Sequence, residues 1–194
     1  MTDAPRTRKP GGLRSTAEEQ RARIVDGAIA GFSRAGYHAT PVTEIADAAG
    51  ISPAYIFRLF DGKLGLFVET VDHCYGKVAA TLVEAGEATA STTPTGILAA
   101  MSDAYVELIR DRNLIMLQVH AQSACDVPEI RDAVRRGIAQ TVREVTRVSG
   151  AEPSAIQQFL AYGQLCHLIV QADLDKVNDT WANTVTAGIR HPER

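Results

Sequence analysis

The chain has 194 residues, 45% of them hydrophobic and 22% charged, with a formal net charge of −3. That composition fits an ordinary globular chain of one domain or two small ones, long enough to bury a core without staples. It excludes a disulfide or zinc framework, because Cys74, Cys125 and Cys166 are odd in number and far apart, and a membrane-spanning helix, because no run of about 18 apolar residues occurs.

Residues 1–14, MTDAPRTRKPGGLR, combine Pro, Gly and Arg. They read as a flexible basic arm, and with no apolar stretch behind them they do not form a secretory signal. The three thiols then suit a reducing cytoplasm. Residues 1–63 hold nine Lys and Arg against seven Asp and Glu, and the remainder eleven against sixteen. Positive charge therefore sits at the N-terminal end, and an acidic body would be held away from phosphate.

Ser15 with Glu18, and Thr16 with Glu19, form two overlapping capping boxes. A helix follows to about Ala35, with Ile24, Val25, Ala28, Ile29 and Phe32 on one face and Gly36 as a left-handed cap. Thr40-Pro41, Ser52-Pro53 and Thr93-Pro94 each place an N-cap residue before a first-turn proline. Pro128 and Pro153 open two more helices, with Asp126 and Glu152 nearby, and residues 86–95 form the clearest interior loop. No alternating runs suggest a sheet. The expected fold is all-α with about nine helices, one of them a long linker helix from about 63 to 86. Three regions follow: an arm (1–14), a helix-turn-helix unit (15–62) and a helical body (63–194).

Residues 42–61, VTEIADAAGISPAYIFRLFD, carry the sharpest pattern. Two short helices crossing around a tight turn need a small residue where they meet, here Ala46, and a left-handed residue in the turn, here Gly50. Ile45, Ala49, Ile51, Ile56 and Leu59 stand where apolar residues lock the pair. Ser52-Pro53 then starts a second helix whose exposed residues would be Pro53, Ala54, Tyr55 and Arg58. The first turn of such a helix enters the major groove. Arg58 can pair with guanine or a phosphate, and Tyr55 can pack on a thymine methyl or bond a phosphate.

From about Arg21 to Phe67 the sequence resembles the TetR family of bacterial repressors. The resemblance rests on Phe32-Ser33-Arg34-Ala35-Gly36-Tyr37, His38-Ala39-Thr40, Thr43-Glu44-Ile45-Ala46, Ala49-Gly50-Ile51-Ser52, Phe60, Lys63 and Leu66-Phe67. It implies a DNA-facing set of Thr40, Thr43, Ser52, Pro53, Ala54, Tyr55, Phe57, Arg58 and Lys63, with Thr40 and Lys63 on phosphates. Phe57 stands where the family usually has a phosphate-binding Tyr, and Tyr55, two residues earlier, is the candidate replacement.

The resemblance also implies a body that binds an effector and dimerises through its last two helices. Residues 114–125, LIMLQVHAQSAC, are apolar nearly all round, so Gln118, His120 and Gln122 need partners in protein, water or ligand. Together with Tyr105, Phe159, Tyr162, Cys166 and His167 they form the candidate pocket. Residues 155–172 show two apolar faces, and Ala161, Gly163, Leu165 and Leu168 lie on the side suited to a second subunit. The last helix is expected to carry Val177, Trp181, Val185 and Ile189 in one stripe; Trp181 and Val185 join the candidate interface, with a monomer core as the alternative for Trp181.

The five histidines have no metal-ligand spacing, and no P-loop, GxGxxG or GxSxG occurs. No enzyme, metal or cofactor is expected; Cys125 or Cys166 as a redox sensor stays open. The expected function is a cytoplasmic, homodimeric regulator, in the repressor sense, on a palindromic double-stranded operator. A small-molecule effector would tilt the fourth helix, which runs from Lys63 along Phe67, Val71, Cys74, Val78 and Leu82. A ligand-binding or enzymatic protein that borrows the N-terminal fold, and an architectural DNA-binding protein, are the rival readings.

Overall fold

The structure, a computed structural model, describes residues 15–188, with side chains from residue 18 onward. The arm of residues 1–14, the side chains of Ser15 and Thr16, and Ile189 lie outside the described residues. The described residues form nine α-helices and no strand. In chain order they are α1 (Ser15–Ala39), α2 (Val42–Ala49), α3 (Pro53–Phe60), α4 (Gly62–Ala88), α5 (Pro94–Leu108), α6 (Arg112–Ser123), α7 (Pro128–Ser149), α8 (Pro153–Gln171) and α9 (Thr180–Thr186). A 3-10 turn, Leu174–Lys176, precedes α9.

Local chemistry explains most boundaries. The Ser52 hydroxyl accepts the Tyr55 N–H at 3.3 Å and the Thr93 hydroxyl accepts the Gly96 N–H at 3.2 Å, each just ahead of a first-turn proline. Pro128 and Pro153 also sit in first turns, but Val127 and Glu152 precede them without a side-chain cap. Thr40 is not a cap: Pro41 takes that place. The Thr40 side chain is buried, and its hydroxyl donates to the Gly36 carbonyl at 2.7 Å. Gly36 does not stop α1. Its φ of 70° with ψ of −173° kinks the helix, which turns on to Ala39.

Ile24, Val25, Ala28, Ile29 and Phe32 of α1 are all buried, as are Phe67, Val71, Cys74, Val78 and Leu82 of α4. The first core cluster runs from α1–α3 into α4, α6 and α7 without a break near residue 62. Phe32 meets Phe67 edge-on at 4.7 Å, and Tyr37 lies 5.3 Å from the same ring. α4 and α7 share the most extensive helix contact. They can approach so closely because of Gly137, where a Cβ would stand 2.2 Å from Tyr75 Cγ.

The chain's end departs from the expected stripe. Val177 lies after the 3-10 turn rather than in a helix, and α9 spans only seven residues, Thr180–Thr186. Asp173 takes a left-handed conformation (φ 49°) that breaks the chain between α8 and the turn.

Candidate functional site

The short helices form the expected wedge. Ala46 and Ile45 of α2 and Ile56 of α3 are buried, with Ala49, Ile51 and Leu59 packed against them. Gly50 ends α2 at φ 65°, ψ 35°, and the Ile51 N–H closes the turn onto the Ala46 carbonyl at 2.9 Å. Arg21 of α1 fastens the far side. Its Nη1 donates to the Leu59 carbonyl at 2.7 Å, its Nε donates to Glu69 at 2.7 Å, and its guanidinium lies 4.6 Å from the Phe60 ring centroid. At the junction with α4, Asp61 (φ 56°) and Gly62 (φ 92°) are both left-handed.

On the outer face of α3, Ala54, Phe57 and Arg58 are exposed, as are Thr43 of α2 and the cap Ser52, while Pro53 is half-buried. Tyr55 is not on that bare face. It packs against the core, and its hydroxyl donates to Gln20 Oε1 at 2.9 Å. The exposed aromatic is Phe57, 54% accessible, and the Arg58 guanidinium lies 5.0 Å from the Tyr55 ring centroid. Thr40 is the second departure, since its buried hydroxyl cannot reach a phosphate. Lys63 is half-buried at the start of α4. Its Nζ donates to the His38 carbonyl at 3.1 Å, lies 5.1 Å from the Tyr37 ring centroid, and has its pKa lowered by burial.

In the body, α4–α8 close around a cavity of about 330 Å³. Tyr105, Gln118, Phe159, Tyr162, Cys166 and His167 all line it, with Tyr75, Val78 and Leu82 supplying the α4 wall. At its polar spot the Tyr105 hydroxyl and His167 Nε2 stand 2.7 Å apart. His167 is 3% exposed, its Nδ1 is buried without a partner, and burial lowers its pKa to about 4. Burial also raises the Tyr105 phenol, so both groups are neutral at pH 7. His120 and Gln122 do not line the cavity. His120 instead faces α1, where a Cβ on Gly36 would stand 2.8 Å from its Nδ1, and Gln122 bonds the Tyr75 side chain. The Cys166 thiol is buried and pushed up by desolvation, and that of Cys74 is pushed up to about 12, which works against a nucleophilic thiolate at either position.

Of the candidate interface residues, Leu168 is 51% and Trp181 52% exposed, Ala161 is exposed, and Leu165 and Val185 are half-buried. Trp181 is therefore no core residue of the monomer. Gly163 lines the cavity, with open space where a Cβ would go. Sequence reasoning passed over the left-handed corner at Asp61 and Gly62, although Asp-Gly is a turn dipeptide. It also passed over Ile138, exposed on α7, and the His120–Gly36 contact.

Two short helices locked around a left-handed glycine, the second with a bare outer face, define a helix-turn-helix DNA-binding unit, here joined to a helical body. Residues 24–70 match the model of the tetR family of bacterial regulatory proteins. That match is confined to the DNA-binding segment, and the fold of the whole described chain is that of the solved regulators below. No curated protein matches it in sequence. Among solved structures, it is similar to the transcriptional regulator FadR of Bacillus subtilis in complex with stearoyl-CoA, at 21% identity over 87% of this chain and 99% of that one, TM-score 0.67. A TetR-family regulator of Agrobacterium tumefaciens is 18% identical over 88% and 94%, TM-score 0.68. The fatty acid degradation regulator FadR of Bacillus halodurans is 17% identical over 87% and 99%, TM-score 0.65. No helix among the described residues is long and apolar enough to cross a membrane.

Proposed function

We propose that this protein is a homodimeric repressor whose grip on a palindromic operator is set by a small molecule in the body cavity. The observation that carries the reading is the course of α4. It begins beside the DNA-reading unit at Lys63 and supplies Tyr75, Val78 and Leu82 to the cavity wall. A ligand that favours one packing of that wall shifts α4, and with it the spacing of the two reading heads. The unit of residues 15–62 reads DNA, with Thr43, Ser52, Ala54, Phe57 and Arg58 turned outward and Lys63 at its flank. Residues 63–194 bind the effector and the second subunit, with α8 and Trp181 as the joining surface. That the Bacillus subtilis relative is described with stearoyl-CoA supports small-molecule control on this fold.

The test is binding of the full-length protein to the DNA upstream of its own gene, followed by fluorescence anisotropy against random DNA of equal length. Preference for the upstream DNA at physiological salt is the expected result. Equal affinity for both would make the protein architectural, and no affinity for either would end the regulator reading.

A further inference from the structure

We propose that the cavity selects a molecule with an apolar body and a hydrogen-bond acceptor oxygen that takes the Nδ1–H of His167, and that Tyr105 sets this preference by fixing the imidazole tautomer. The proposal rests on reading the cavity as the effector site. Tyr105 of α5 and His167 of α8 both line it, with the phenol oxygen and Nε2 2.7 Å apart. That separation is at the short end of the roughly 2.7–3.2 Å of N–H donors and ordinary for a hydroxyl donor. The phenol is also the better donor of the two, and its oxygen, conjugated with the ring, is a poorer acceptor than an imidazole nitrogen. Gln118 adds a third reason. Its Nε2 donates to the Leu114 carbonyl at 3.2 Å. Burial raises the Tyr105 phenol, and a hydrogen bond with the Gln118 side chain works against that rise. A bond that eases ionisation is one given to the phenol oxygen. Gln118 therefore donates to Tyr105, and Tyr105 donates to His167 Nε2. A neutral imidazole that accepts at Nε2 carries its proton on Nδ1.

That Nδ1–H is buried without a partner, on a side chain that lines the cavity. A buried donor left unmade is costly, so the site favours a molecule that supplies the acceptor. Room for it lies one turn back on α8. Helix side chains lean toward the N-terminus, which carries the His167 ring over Gly163. Gly163 lines the same cavity, and nothing stands within 4 Å of where its Cβ would be. Nδ1 itself is enclosed, so the N–H reaches an incoming oxygen by a turn of the ring into that space. Val78, Leu82 and Phe159 give the rest of the molecule an apolar wall. The cavity, about 330 Å³, is at the small end of the roughly 300–1,000 Å³ range of ligand pockets.

The experiment displaces N-phenyl-1-naphthylamine, a fluorescent probe, from full-length protein with a matched pair of uncharged bicyclic molecules. Indan-1-one has an oxygen that only accepts; indole has an N–H that only donates. Indan-1-one should compete about tenfold better, because indole would set one N–H against another. Tyr105→Phe frees the imidazole to carry its proton on either nitrogen, so the two competitors should then fall within about threefold of each other. If Tyr105 only propped the wall, that variant would change both affinities together, and an unchanged ratio overturns its role in the tautomer. Nitrogen NMR of histidine-labelled protein, with His167 assigned by its loss in His167→Gln, should show the Nδ1–H form. An Nε2–H form, equal competition on the wild type, or no probe binding at all overturns the proposal. Operator anisotropy is read in the same samples. A protein that binds operator yet does not prefer indan-1-one overturns the ligand class alone, whereas one that prefers it yet ignores DNA supports the ligand class and overturns the regulator reading.

Discussion

At the scale of single residues, the division of labour on α3 turns on two aromatic rings. Tyr55 is held from within, by Gln20 and the core, while Phe57 and Arg58 are open to a groove. Arg58→Ala should therefore lower operator affinity by about 1–3 kcal/mol with little change in stability. Tyr55→Phe should do the reverse, costing about 1 kcal/mol of stability through the lost bond to Gln20. Anisotropy titrations beside urea unfolding separate the two, and a Tyr55→Phe protein of unchanged stability but weakened DNA binding would restore Tyr55 as a direct contact. His167 makes a second residue-scale prediction. Its burial-lowered pKa of about 4 lies below the 6.5 of an ordinary histidine. The unfolded chain thus takes up a proton in that window before the folded chain does. The stability attached to this group is intact above about pH 6.5 and is lost as pH falls toward 4, by on the order of 2 kcal/mol. Urea midpoints at pH 7 and 4.5 should differ more for the wild type than for His167→Gln; parallel losses in both would remove His167 as the cause.

At the scale of elements, legibility follows how local the determining physics is. The helix starts at Pro53 and Pro94, the turn at Gly50 and the apolar face of α1 are set by neighbours within a turn or two, and each could be read directly. Thr40 looked like a cap because the residue that claims its hydroxyl, Gly36, lies in a kink whose ψ is not written in the glycine. Tyr55 looked exposed because Gln20 is 35 positions away. In α6, Gln118 and His120 are two residues apart and so point to different neighbours, one to the cavity and one to α1; periodicity showed both as buried polars without saying which. The closest helix contact was hidden for the same reason, since a glycine in α7 gains meaning only against Tyr75 of α4. Gly137→Ala should cost about 1–3 kcal/mol, because the added methyl must displace Tyr75 from the cavity wall. Gly27→Ala, exposed in the middle of α1, meets nothing within 4 Å, so a matched alanine there provides the control for helix propensity. Thermal unfolding of the pair measures the difference; equal midpoints would mean that α4 and α7 part easily, and the proposed coupling through α4 would lose its stiff member.

At the scale of the whole molecule, the body leaves large apolar side chains uncovered where α8 and α9 meet solvent. Leu168 and Trp181 are each about half exposed, Tyr162 stands 50% exposed at the cavity mouth, and Ile138 of α7 is 43% exposed nearby on the same cavity lining. A second copy packed on α8 along Leu168 would bury that side chain and set two reading heads side by side. One α3 offers few base contacts, while two related by symmetry read both halves of a palindrome. α9 is too short to be half of a long helical pair, so in the proposed dimer α8 would carry most of the seam. Leu168→Glu is therefore the decisive substitution. Its charge is harmless in the monomer, where Leu168 already faces water, and costly in a closed interface. Sedimentation should show the wild type as a dimer at micromolar concentration and Leu168→Glu as a monomer of unchanged helicity. Affinity for the full operator should fall on the order of a hundredfold while a half-site is bound as before, since each head is intact. A Leu168→Glu protein that stays dimeric would move the interface off α8, and a wild type that is monomeric would leave the palindrome without its second reader.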